Sequence, residues 1–184
     1  MIQVKIAKEL LFIGFLVFMT VFSSCRESPR RVSGTSHIRL TDTKLIDYNR
    51  GIVKSEEQEI ENFLNRYRWD MKKSTTGLRY LIYQMGNGIQ AKEGMLVRFQ
   101  YSVKLLNGKL AYSSDSLGPK SFILGHGGVE TGLEEGMLLL RQGDRAKFII
   151  PSYLAFGLLG DQQKIPPGAT LVYDVDILDL ETIK

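Results

Sequence analysis

The chain has 184 residues, 43% of them hydrophobic, with 18 glycines, a formal net charge of +4 and a single cysteine. That size and apolar content suit one packed, turn-rich domain with appendages, and a lone cysteine excludes an intrachain disulfide. Basic residues are interleaved with acidic ones instead of forming the one-signed stripe of a nucleic-acid binder, so that class is set aside.

In chain order, Lys5 and Lys8 lead into an apolar run, Leu10–Phe22, broken by Gly14 and Thr20 and followed by Ser23-Ser24-Cys25. A charged start, a short apolar stretch and small residues before a cut describe a secretory signal over 1–24. The run is short of the roughly 20 residues that span a bilayer. An uncleaved anchor and a buried helix with a stray thiol are the alternatives. Residues 25–50, with Ser28-Pro29-Arg30-Arg31 and Ser33-Gly34-Thr35-Ser36, read as a polar tether, the alternative being that they pack elsewhere.

The span 51–76 reads as a helical extension, its helix placed at about 55–72. Ser55 and Gln58 have capping-box spacing. Glu56, Glu57, Glu59 and Glu61 crowd the start, and Arg66, Arg68, Lys72 and Lys73 the end, the polarity a helix dipole favours. Ile60, Phe63, Leu64, Tyr67 and Met71 share one face. That face docks on the domain or serves a partner or a second copy.

From Gly77 to Lys184 the pattern is mainly sheet. Strands are expected at Leu78–Met85, Met95–Leu106, Lys109–Ser113, Ser121–Leu124, Asp144–Ile150 and Leu171–Leu180. Asn107-Gly108 marks a hairpin. One helix, about 129–140, carries Leu133, Met137 and Leu140 on one face. Strands around a single helix imply an α+β fold whose antiparallel sheet wraps that helix.

The familiar catalytic constellations are not legible. The histidines are His37 and His126, and with one cysteine they offer no transition-metal set. His126-Gly127-Gly128 looks like an oxyanion loop but no nucleophile elbow accompanies it. Gly125-x-Gly127 before a helix could cradle phosphate, but Glu130, Glu134 and Glu135 would repel an anion. Asp115, Asp144 and Asp161 read as turn residues. No metal or cofactor is expected.

A different pattern runs through Asn107-Gly108-Lys109, the segment from Gly125 to Gly136, Gly143-Asp144-Arg145-Ala146-Lys147, Ala155-Phe156-Gly157 and Ile165-Pro166-Pro167-Gly168-Ala169-Thr170-Leu171-Val172-Tyr173-Asp174-Val175. In order and spacing these resemble an FK506-binding-protein (FKBP) type peptidyl-prolyl cis-trans isomerase over roughly Gly77–Glu181. The resemblance implies a half-barrel whose apolar groove rotates Xaa–Pro bonds. It implies Tyr101 and Tyr173 as aromatic walls, Phe122 beneath them, Val129 and the Glu130 backbone N–H at the helix start, Leu133 on the floor, Phe156 on the rim and Ile165 in the loop before the prolines. For each aromatic, plain core packing is the rival role.

The family's Phe-Asp pair is replaced by Ala111-Tyr112, Phe156 stands for a Tyr, Lys120 for an apolar wall residue and Glu130 for an aliphatic one. Tyr112 is therefore a candidate replacement donor.

Ser23-Ser24-Cys25 resembles the bacterial lipoprotein signal, which implies acylation of Cys25, although Phe22 departs from the usual Leu. With the tether and helix, the chain also resembles the gliding-motility-associated FKBP-type lipoproteins of Bacteroidetes-like bacteria. The implied setting is the cell envelope, lipid-anchored, periplasm-facing or at the surface, the outer membrane before the inner. The implied partners are proline-containing segments of envelope or exported proteins, with helix 55–72 as a further contact. The rivals are a non-catalytic chaperone or binding module, favoured by Ala111-Tyr112 and Phe156, and a structural part of an envelope or motility assembly.

Overall fold

The structure, a computed structural model, describes residues 42–183; the apolar run, Cys25 and the first part of the expected tether lie outside them. The first described element is helix α1, Asp42–Tyr67. It corrects both expected boundaries, since residues 42–50 are helix instead of tether and the helix stops before 72. Ser55 and Gln58 sit inside it and form no capping box; the Gln58 amide bonds the Asn62 side chain at 3.2 Å. The end is set by Arg68, which takes a left-handed backbone (φ 54°). Trp69 N–H then returns to Leu64 O at 3.1 Å, the reversal that closes a helix C-terminus. Met71 therefore lies past the helix, and Lys72–Lys73, expected in its tail, form strand β1.

The remaining elements are β2 (Arg79–Gln84), β3 (Met95–Leu105), β4 (Leu110–Ser113), a short helix α2 (Ser114–Leu117), β5 (Lys120–Ile123), α3 (Thr131–Leu138), β6 (Arg145–Ile150) and β7 (Leu171–Thr182). The expected strands and helix form within a few residues of their anticipated ends. β1, α2 and two 3₁₀ turns, Ser152–Leu154 and Gly157–Leu159, were not anticipated. The sheet is antiparallel, in the order β1-β2-β6-β7-β3-β4, with β5 also paired to β3. The α+β expectation, a sheet wrapped around one helix, is met.

Register decides which side chains meet. Val103 lies opposite both Tyr112 and Tyr173, and Tyr173 opposite Phe148, so one inner face collects them. On β7 the alternation slips where Arg98 pairs Asp179 but Phe99 pairs Ile177. That bulge lets Leu180 and Ile177 both turn inward, since an extra residue flips the side-chain phase.

Helix α3 packs into the inner face with Leu133 and Met137 fully buried, and Leu140 just beyond its end is fully buried too. It can approach because Gly132 and Gly136 face the sheet; a Cβ on Gly136 would stand 2.8 Å from the Phe148 ring, and one on Gly132 2.5 Å from Ile150 Cγ2. On the outer face, α1 lays Ile60, Phe63 and Leu64 over Ile149 and Val172. The buried Arg79 guanidinium, 3% exposed, reaches from β2 to Glu57 and to Glu61 (2.6 Å) of α1. Burial opposes charge on Glu57, but hydrogen bonds from Lys73 and Arg79 outweigh it and hold its carboxyl below the usual range.

Gly136→Ala tests the close approach of α3. Despite alanine's better helix propensity, the added methyl should destabilise the domain by about 1–3 kcal/mol, as overpacking does. An unchanged urea midpoint would refute it.

Candidate active-site groove

Of the nine residues proposed for the groove, eight fall into one hydrophobic cluster. Phe122, Leu133, Ile165 and Tyr173 are buried in it, and Tyr101, Tyr112, Val129 and Phe156 pack partly exposed against it. The ninth, Glu130, joins through its side chain: Tyr173 Oη donates to Glu130 Oε1 at 2.6 Å. These groups come from β3, β4, β5, the start of α3, the β6–β7 loop and β7. Chain folding alone brings them together.

Leu133, the residue expected on the floor, is fully buried on α3. Phe99 braces two of the expected groove aromatics, its ring centroid 5.7 Å from Tyr101 and 5.9 Å from Phe122, the latter edge-on. At the mouth is an open depression of about 310 Å³ lined by Lys120, Gly128, Val129, Glu130, Ala155 and Phe156. Another cavity, about 360 Å³, lies on the outer face beneath Phe63, Tyr67 and Trp69. It is separate from the groove, and its Lys147 is already paired with Asp174.

Electrostatics sharpen the picture. Burial, then the charge and hydrogen bond of Glu130, push the Tyr173 phenol well above its ordinary value, so it stays a donor. Burial and the Glu130 charge raise Tyr101 as well. Glu130 Oε2 is buried without a hydrogen-bond partner. Glu130 also caps α3, accepting Leu133 N–H and Glu134 N–H on its carbonyl, both at 3.0 Å. Its own N–H has no intramolecular acceptor among the described residues.

Two sequence readings take a definite form. Tyr112, the candidate replacement donor, gives its hydroxyl to Asp161 and holds the β6–β7 loop. That bond, with burial, raises the Tyr112 phenol. Burial opposes charge on Asp161, but Tyr112 and the backbone N–H groups of Ile165 and Gln163 prevail and lower it. Asp161 is thus a turn residue, as read, and also a latch. The glycine loop that could have cradled phosphate is occupied from within: Gly125 N–H and Gly127 N–H both donate to Glu134 Oε1, at 2.7 and 3.3 Å.

Sequence reasoning marked Glu130 as a departure from an aliphatic residue but missed its side-chain bond to Tyr173. It also missed Ala155, which has no chemical signature and becomes visible only as a wall. Among the described residues no group of His, Cys, Asp and Glu is placed to hold a metal ion, and no helix is long and apolar enough to cross a membrane.

The family model for FKBP-type peptidyl-prolyl cis-trans isomerases matches residues 87–178. A probable FKBP-type peptidyl-prolyl cis-trans isomerase FkpA of Neisseria meningitidis is 34% identical over 140 residues, covering 74% of this chain and 51% of that protein. Mouse peptidyl-prolyl cis-trans isomerase FKBP2 is 38% identical over 94 residues, covering 50% of this chain and 67% of the relative. Among solved structures, FkpA from Escherichia coli aligns over 95% of this chain and 82% of that one, with TM-score 0.62 and 29% identity. AtFKBP13 aligns over 60% and 98%, with TM-score 0.57 and 30% identity. The chain spans about half the length of the Neisseria relative.

The Tyr173–Glu130 contact yields a prediction. Tyr173→Phe leaves the Glu130 carboxylate without its donor and should lose about 1–3 kcal/mol of stability. Adding Glu130→Ile should restore most of it. A double-mutant cycle showing strictly additive effects would remove the contact from the energetics of the fold.

Proposed function

Because the chain belongs to the FKBP-type peptidyl-prolyl cis-trans isomerase family, we propose that it accelerates rotation about Xaa–Pro bonds in envelope or exported proteins. The observation that supports this reading is the open depression at the start of α3, lined by Lys120, Gly128, Val129, Glu130, Ala155 and Phe156, with Tyr101, Phe122, Leu133 and Tyr173 packed in the adjoining core.

The problem such a groove solves is amide resonance. Partial double-bond character sets a barrier of about 18–20 kcal/mol, so spontaneous exchange takes tens to hundreds of seconds. At mid-rotation the amide has lost its conjugation and part of its charge separation. An apolar, water-poor wall therefore disfavours the planar ground state more than the twisted one. This is differential binding of the transition state and needs no covalent intermediate.

In this reading the proline ring settles over Leu133 between Tyr101, Phe122 and Tyr173. The Glu130 N–H receives a substrate carbonyl, and Phe156 and Val129 shield the rim. Seating the ring displaces the Glu130 carboxylate from Tyr173, which frees the phenol to donate toward the peptide. Ile165 supports the loop from beneath, and Tyr112 acts through Asp161 to keep that loop in place.

The second reading, a weakly catalytic or inactive chaperone or binding module, is favoured by particular features. Ala111 supplies no aromatic wall, and Lys120 and Glu130 set charge at a mouth that would otherwise be apolar. For location we propose a lipid anchor at Cys25, supported by the sequence before it, which places the domain in the cell envelope. The gliding-motility resemblance suggests a role in such an assembly, with α1 as the contact.

Phe156→Ala should lower kcat/KM for short Xaa–Pro peptides about tenfold, roughly 1.4 kcal/mol of transition-state stabilisation, while Phe156, only partly buried, leaves the melting temperature nearly unchanged. A folded wild type that accelerates no Xaa–Pro peptide, yet binds one, would establish the binding module instead. Cys25→Ala should move the protein from the membrane fraction to the soluble one; full retention would point to an uncleaved anchor.

A further inference from the structure

Glu56 is a buried carboxylate, 8% exposed, that takes no part in the chemistry above. It falls in the docked stripe of α1, one turn before Ile60, where an apolar residue would be expected. Its Oε1 accepts Ser152 N–H at 2.6 Å and Thr170 Oγ1–H at 2.5 Å, and its Oε2 accepts Ser152 Oγ–H at 3.0 Å. These donors are 96 and 114 residues away in sequence.

Ser152 and Thr170 stand at the two ends of the β6–β7 loop, which carries Ala155, Phe156 and Ile165. From Ser152 the 3₁₀ turn Ser152–Leu154 runs directly into Ala155 and Phe156. Leu154 O, at the end of that turn, accepts Thr131 Oγ1–H at 3.2 Å, and Thr131 follows Glu130 at the start of α3. From Thr170 the chain enters β7, which carries Tyr173. One carboxylate thus holds both feet of the loop. Without it a buried N–H and buried hydroxyls lose their acceptor, an arrangement that favours movement of the loop over preservation of its shape.

We propose that Glu56 is a positioning residue for the groove, so that helix α1, which precedes the matched stretch 87–178, is part of the isomerase site and not a spacer. Its action on catalysis rests on the isomerase reading above; its action on the loop does not. The rest of the α1 docking is independent of Glu56. Ile60, Phe63 and Leu64 pack on the outer face, and Glu57 and Glu61 pair with Arg79 of β2. Removing the Glu56 carboxylate therefore loosens the loop while the helix stays docked.

The test compares full-length wild type with Glu56→Ala and Glu56→Gln, by peptide isomerisation and by amide hydrogen exchange. At temperatures where circular dichroism shows every variant folded, Glu56→Ala should lower kcat/KM about tenfold and speed exchange across 152–156. Glutamine keeps an acceptor oxygen, and Glu56→Gln should stay within about threefold of wild type. If Glu56→Ala does not fold, Thr170→Val, which removes one donor, should show the same pair of effects in smaller measure. A lower melting temperature with unchanged kcat/KM and unchanged loop exchange overturns the proposal and leaves Glu56 a purely structural anchor. If the wild type itself is inactive, the isomerase reading falls separately. Exchange across 152–156 then decides: faster exchange in Glu56→Ala sustains the positioning role, and unchanged protection refutes it.

Discussion

The close approach of α3 to the inner face of the sheet is the constraint on which the rest depends. Gly132 and Gly136 remove two side chains at the contact, and the helix settles against Ile150 and Phe148. That depth buries Leu133 completely and sets the start of α3 beside β7. From there the Glu130 carboxylate meets the Tyr173 hydroxyl. The interior is close-packed, so a helix held one methyl farther out would shift the floor and the walls together.

The outer face is built on a different principle. Ile60, Phe63 and Leu64 supply area, which is non-directional, whereas Glu56, Glu57 and Glu61 supply direction. Each carboxylate accepts from a buried donor of the domain: the Arg79 guanidinium, the Ser152 N–H or the Thr170 hydroxyl. Burying a charge is tolerable only when it is paired and hydrogen-bonded. The three acids therefore fix the rotation of α1 about its axis more strictly than an apolar stripe would. The sheet is covered on one side by the helix beneath the groove and on the other by the helix that reaches the groove's loop.

At the groove the same logic runs in reverse. Val129, Ala155 and Phe156 give the depression an apolar lining, yet Lys120 and Glu130 stand in it as charges. The Glu130 oxygen that lacks a partner marks a closed arrangement that is not fully satisfied, so displacing it costs less than breaking a complete network. Asp161 is the contrasting case. Its carboxylate is saturated by Tyr112, Gln163 and Ile165, and it holds shape instead of awaiting a donor.

The amino-acid sequence by itself determined the strands and the central helix, which follow from alternation and helical spacing, while the order of glycines, aromatics and prolines carried the family resemblance. Local chemistry was legible wherever the partner lay a few residues away, as at Asn107-Gly108. It misled at Ser55, where a capping-box spacing sits inside a helix that continues back to Asp42, since spacing shows that a cap could form and not that the chain needs one there. The acids Glu56, Glu57 and Glu61 read as dipole partners at a helix start, and the tertiary structure turned them toward Ser152, Thr170 and Arg79. Likewise Tyr112 and Glu130 were recognisable as departures, but whether each faced a substrate, a loop or a neighbour depended on the register of β3 with β4 and β7. Those choices were left to the tertiary structure because a hydrogen bond between residues 96 apart leaves no periodic trace in the chain; only the fold can bring a donor and an acceptor within 3 Å.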